Sequence, residues 1–60
     1  MEAALVPGVF VTHPDRPEWG LGQVQSAING MITVNFEHAG KQTINGNVVT
    51  LKPVGTGAQD

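Results

Sequence analysis

Cysteine is absent from this 60-residue chain, so it can form neither a disulfide framework nor a thiolate metal site. Tyrosine is absent too, and one Trp with two Phe is too few for a cage of converging rings around a methylated cation. Charge is sparse, at 13% of residues against about a quarter in an average domain. Three cations (Arg16, Lys41, Lys52) face five acids (Glu2, Asp15, Glu18, Glu37, Asp60), for a net charge of −2. Non-specific nucleic-acid binding rests on several Lys or Arg neutralising phosphates, and three make that footprint only if they converge on one face. The longest apolar run is far too short to cross a bilayer. Glu2 stands where a secretory leader carries cations, and Pro7-Gly8 interrupts the apolar lead, so a soluble, cytoplasmic chain is expected. Serine occurs once, at Ser26 in a predicted strand, whereas a serine nucleophile needs a base and an oxyanion site around it. The length allows one small domain with a thin core, which excludes a self-contained enzyme with a deep cleft. No enzymatic activity and no cofactor are expected.

What is present is punctuation. Eight Gly and four Pro separate short runs rich in Val, Ile and Thr, a pattern that favours strands over helices. Strands are predicted near Val9–His13, Gln23–Ile28, Ile32–Phe36, Lys41–Ile44 and Val48–Leu51. No stretch long enough for a helix is free of Gly or Pro and carries helical periodicity. Five short strands suggest an all-β, small, strongly bent barrel, since closure removes edges that would otherwise aggregate. The barrel is expected over residues 7–54, with a flexible lead at 1–6 and a flexible tail at 55–60.

Parity bears on the second hairpin. A two-residue turn at Asn29-Gly30 would pair Ala27 with Ile32 and put Val24 on the face opposite Ile32, Val34 and Phe36. A three-residue loop of Ile28, Asn29 and Gly30, with Gly30 left-handed as a bulge, pairs Val24 with Val34 and Ser26 with Ile32. The second arrangement gathers the large apolar side chains on one face and is preferred. The predicted core is Val11, Val24, Ile32, Val34, Phe36, Ile44 and Leu51, with Val9 and one of Val48 and Val49. Phe10 and Thr12 then point away from Val9, Val11 and His13.

The segment His13-Pro14-Asp15-Arg16-Pro17-Glu18-Trp19-Gly20-Leu21-Gly22 holds the only Trp and the only Arg. Two prolines stiffen it and two glycines let it turn back. Trp19 either closes one end of the barrel, covering Leu21 and Val24, or joins Arg16 as an exposed anchor, since Trp and Arg are the commonest hot-spot residues. An ion pair with Asp15 or Glu18 is the plainer role for Arg16. The spacing Pro14-x-x-Pro17 fits a polyproline ligand only weakly. In the second segment, Phe36 to Lys41, Gly40 supplies the positive φ of a turn while Glu37, His38 and Lys41 form a mixed-charge tip. His13 and His38 would meet only if the two segments fold together, and they match no known metal-ligand spacing. Gly20-Leu21-Gly22 lacks the lysine and the helix of a phosphate loop.

The stretches Val11-Thr12-His13-Pro14, Trp19-Gly20-Leu21-Gly22-Gln23-Val24 and Ile32-Thr33-Val34-Asn35-Phe36 resemble the Tudor-like, SH3-like domain at the C-terminus of UvrD/PcrA-type helicases. Over nearly the whole chain the sequence is more similar to a family of short bacterial domains of unknown function. Those domains carry H-P-D-R-P-E-W-G-L-G-Q-V and V-N-F-E-H-A-G-K. The helicase resemblance implies an SH3-like/Tudor-like five-stranded barrel and, by analogy, docking onto RNA polymerase or a DNA-repair complex. His13, Pro14, Trp19, Gly20, Gly22, Val24 and Phe36 match its pattern, and Lys41 lies about one residue from its basic position. The chain departs from it in the inserted Asp15-Arg16-Pro17-Glu18 and in lacking basic residues around Phe10 and Thr12.

Together these readings predict a monomeric, non-enzymatic module that binds another macromolecule, a protein in the first place. Its predicted contact residues are Trp19, Arg16, His13, Phe10, Thr12, Glu37, His38 and Lys41. The alternative is a weak nucleic-acid binder that stacks Trp19 on a base, with Arg16, Lys41 and Lys52 on phosphates. No membrane partner is expected.

Overall fold

A computed structural model describes residues 5–56, so residues 1–4 of the expected lead and 57–60 of the expected tail lie outside the described residues. The chain is all-β: β1 (Val9–Thr12), β2 (Gly22–Ile28), β3 (Met31–Phe36), β4 (Gly40–Asn45) and β5 (Lys52–Thr56), with one short 3-10 turn at Pro17–Trp19. All neighbouring strands are antiparallel, in the order β4-β3-β2-β1-β5. Among the described residues no helix is long and apolar enough to cross a membrane.

One face of this single sheet forms the core. Val9 and Val11 on β1, Val24 on β2, Ile32, Val34 and Phe36 on β3 and Ile44 on β4 are buried, joined by Leu51 just before β5. Val11 and Val34 are wholly shielded from solvent although no second layer covers the sheet, so the sheet coils over its own apolar face. It coils without the hydrogen-bonded closure expected of a barrel, because β4 and β5 are the two ends of the strand order.

The β2–β3 hairpin corrects the predicted loop. Asn29 (φ 52°) and Gly30 (φ 81°) form a two-residue turn with Ile28 opposite Met31 and Ala27 opposite Ile32. Two successive left-handed residues match the twist of the flanking strands. Val24 nevertheless faces Val34, because the register shifts between Val24 and Ser26 and leaves Gln25 as the extra residue. Parity demanded one unpaired residue, and it lies inside the strand instead of in the turn. There it bends β2, which the coiling requires.

The last strand also differs from expectation. Residues 48–51 are not a strand, because the chain entering them is held in a turn by Asn45. The Asn47 N–H donates to Asn45 Oδ1 (2.9 Å), and the N–H groups of Val48 and Val49 donate to the Asn45 carbonyl (3.0 Å each). Val48 is 78% exposed, so Val49 is the member of that pair that packs on the core. β5 follows at Lys52–Thr56, placing Gly55 and Thr56 in the sheet opposite Phe10 and Val9. Its Pro53 is tolerated at an edge, where one side of the strand needs no donor. At the other end Leu5, assigned to the lead, packs against the core.

Gly22 lets β2 lie close over the core. A Cβ there would stand 2.5 Å from Val34 Cγ1 and 2.7 Å from Phe36 Cδ1, both on buried and tightly packed side chains. Gly22→Ala is expected to lose about 1–3 kcal/mol through overpacking, seen as a lower urea midpoint with an unchanged slope. An unaltered midpoint would show that Phe36 can withdraw from β2 without cost.

Candidate functional site

The β1–β2 connection is ordered by local bonds. Pro14 and Pro17 hold the preceding residues, His13 and Arg16, away from helical backbone. The Arg16 N–H donates to the His13 carbonyl (3.2 Å), the Trp19 N–H to the Arg16 carbonyl (3.0 Å) and the Gly20 N–H to the Pro17 carbonyl (3.2 Å). Gly20 (φ 77°) then turns the chain back toward β2. A Cβ at that position would lie 2.6 Å from the side chains of Glu37 and His38, so glycine is also required by the close approach of the β3–β4 turn.

The two loops are therefore joined. The Glu37 N–H donates to the Leu21 carbonyl (2.8 Å), and the His38 N–H donates to the Trp19 carbonyl (3.0 Å). In return the Leu21 N–H donates to Glu37 Oε2 (2.9 Å). His38 Nε2 lies 3.8 Å from the same carboxylate oxygen, and both side chains are exposed. Asp15, Arg16, Glu18, Glu37, Lys41 and Lys52 all sit in these loops or at the adjoining strand ends, so every charged side chain of the described residues is gathered at one end of the sheet.

Trp19 is half-buried at the centre of that end. Its indole packs against Phe36 (centroids 5.1 Å apart) and against the edge of His13 (5.0 Å, 69°), while the Arg16 guanidinium carbon lies 5.8 Å from its centroid. The indole also packs against the buried core cluster, to which Val24 belongs. Arg16 also lies 3.7 Å from Glu18, an exposed pair that contributes little to stability. His13 departs from its predicted role as a surface contact. It is only 7% exposed, because it continues the inward alternation of Val9 and Val11, and it supports the indole from below. Its Nδ1 accepts a hydrogen bond from the Asp15 N–H (3.1 Å), so the ring proton belongs on Nε2.

On the outer face, strand register aligns Phe10, Gln23, Asn35 and Lys41 in one cross-strand row. Phe10 is half-exposed, as its outward position predicts, and Thr12 is half-exposed opposite Lys52. A groove of about 230 Å³ runs beside the row, lined by Phe10, Leu21, Gly22, Gln23, Asn35, Phe36 and Glu37. Leu21, Gln23 and Asn35 were not among the predicted contacts. The available signal was the pairing of Val24 with Val34, which already sets Gln23 opposite Asn35.

Among the described residues the serine and the two histidines do not converge. Ser26 lies toward the Asn29-Gly30 turn, at the opposite end of β2 from the segments that carry the histidines. Among the described residues no group of three or more His, Cys, Asp or Glu side chains is placed to hold a metal ion.

A family model described as "Protein of unknown function (DUF3553)" matches residues 5–54. The chain belongs to this family. Every predicted contact residue and the whole groove fall inside the DUF3553 stretch. No curated protein and no solved structure matches the chain.

The bond from Asp15 to His13 yields a direct test. Nitrogen-15 spectra at neutral pH should show the His13 proton on Nε2, with Nδ1 in its unprotonated range. An Nδ1–H tautomer would mean that the Asp15 turn is not closed by the ring.

Proposed function

We propose that this DUF3553 domain is a non-enzymatic interaction module that binds a protein partner through its charged end. The observation that carries the reading is the Trp19 platform. A half-buried indole is braced by Phe36 and His13, carries Arg16 beside it, and is locked by backbone bonds to the Glu37–His38 turn. A rigid aromatic with a neighbouring guanidinium has the composition of a binding hot spot. Preorganisation of both loops lowers the entropy lost on association.

The contact surface of this reading comprises Trp19 and Arg16, the outward Phe10 and Thr12, and the Glu37, His38 and Lys41 turn, with His13 supporting it from within. The similarity to the Tudor-like domain of UvrD/PcrA-type helicases suggests RNA polymerase or a repair complex as the class of partner. Charge placement favours protein over nucleic acid. Three acids (Asp15, Glu18 and Glu37) stand among the three cations at this end, and Arg16 is already close to Glu18.

Because the indole packs on Phe36, Trp19→Ala would disturb fold and contact together. Arg16→Ala and Phe10→Ser separate them, since both side chains reach solvent. The immobilised chain should retain a defined protein from nuclease-treated bacterial lysate. Each substitution should weaken retention about tenfold or more while leaving the amide NMR spectrum of a folded domain. Equal retention by both variants would refute the surface. Binding of single-stranded oligonucleotides alone, with affinity falling steeply as salt rises, would favour the nucleic-acid alternative.

A further inference from the structure

The groove on the outer face says more about the partner, and the argument rests on the protein-binding reading above. At about 230 Å³ it is smaller than the ~300–1,000 Å³ typical of small-molecule pockets. It suits one or two side chains of an extended segment. Phe10 and Leu21 provide apolar surface, and Gln23 and Asn35 stand side by side across β2 and β3. Each amide offers both a donor and an acceptor, which is what a peptide group requires. Gln23 Nε2 makes only a long bond to the Gly8 carbonyl (3.5 Å), and the Asn35 side chain makes no hydrogen bond among the described residues.

Glu37 gives the groove its sign. The Leu21 N–H fixes the carboxylate through Oε2. Among the described residues the ionisable side chain beside it is His38 at 3.8 Å, while Arg16 pairs with Glu18 and neither Lys41 nor Lys52 is within ion-pair distance of Glu37. A preoriented carboxylate in a groove whose other lining residues are uncharged attracts a cation and repels a phosphate there, while Lys41, opposite Asn35 in the same row, stands outside the lining.

We propose that this groove binds an extended peptide segment of the partner protein. An apolar side chain lies against Phe10 and Leu21, a peptide group bonds Gln23 and Asn35, and a Lys or Arg side chain pairs with Glu37. The alternative occupant, a base stacked on Phe10 and read by the two amides, would bring its phosphates toward Glu37 and is disfavoured for that reason.

The probes are acetylated, amidated pentapeptides containing one Leu or Phe and one Lys or Arg. Their counterparts carry Glu in place of the cation, and an eight-nucleotide single strand completes the set. Each is titrated into the nitrogen-15-labelled full chain. The basic peptides should shift the side-chain amide signals of Gln23 and Asn35 and bind about three- to fivefold more tightly than the Glu peptides, the range of a surface ion pair. Glu37→Gln keeps an oxygen for the Leu21 N–H and should bring that preference close to one. If Glu peptides bind as well as basic ones, or if the preference survives Glu37→Gln, the assigned chemistry is wrong although protein binding stands. If no peptide shifts these signals, the groove is not the site, and capture through Arg16 and Phe10 still judges the wider reading. Shifts produced only by the oligonucleotide would overturn both.

Discussion

A lone antiparallel sheet with one apolar face has nothing to bury that face against except itself. In this domain Val11, Val24, Val34 and Phe36 are almost completely shielded by the other strands and by the loops at one end. Such coiling is incompatible with uninterrupted pairing. The ladder is accordingly broken twice, at Gln25 in β2 and between Phe10 and Val11 where β1 meets β5. Each break admits an extra residue and increases the local twist. With no disulfide and no metal cluster among the described residues, the fold depends on this self-coverage and on side chains small enough at the crossing points, Gly22 above all.

The same constraint builds the charged end. Coiling carries the β3–β4 turn against the β1–β2 connection, and three hydrogen bonds between residues 19–21 and 37–38 join them. Gly20 permits the approach because it has no side chain to collide with Glu37 and His38. Trp19 belongs to core and surface at once. Its contact with Phe36 ties it to the interior, and its contact with Arg16 ties it to solvent. Separate structural and binding roles for this indole are therefore not alternatives, since the packing that holds it rigid is also what would make it an effective anchor.

Segregation of charge gives the two ends different characters. Residues 19–36 and 42–51 contain no Asp, Glu, Lys or Arg, and the turn at Asn29-Gly30 exposes Ile28 and Met31. The opposite end carries all of the described charges together with the groove. Within it Glu37 serves both structure and surface, because one oxygen accepts the Leu21 N–H while the carboxylate remains exposed.

Much of this was legible in the residue order, because period-two burial is a local property. The all-β class, four of the five strands, the buried set from Val9 to Leu51 and the outward direction of Phe10 all follow from alternation and from the positions of Gly and Pro. Alternation also placed His13 inward, although the chemistry of histidine argued for a surface contact. Other features needed the folded chain. Val48-Val49-Thr50 has strand-like composition, but the N–H groups of Val48 and Val49 are captured by Asn45. Parity required one unpaired residue in the second hairpin and was silent on whether the turn or the strand would hold it; the coil of the sheet put it at Gln25, where a bend is needed. The meeting of residues 19–21 with 37–38, and hence the groove beside Glu37, joins positions some sixteen residues apart. Side-chain direction along a strand is written into neighbouring residues, whereas contacts between distant loops arise only when the whole sheet closes over its own interior.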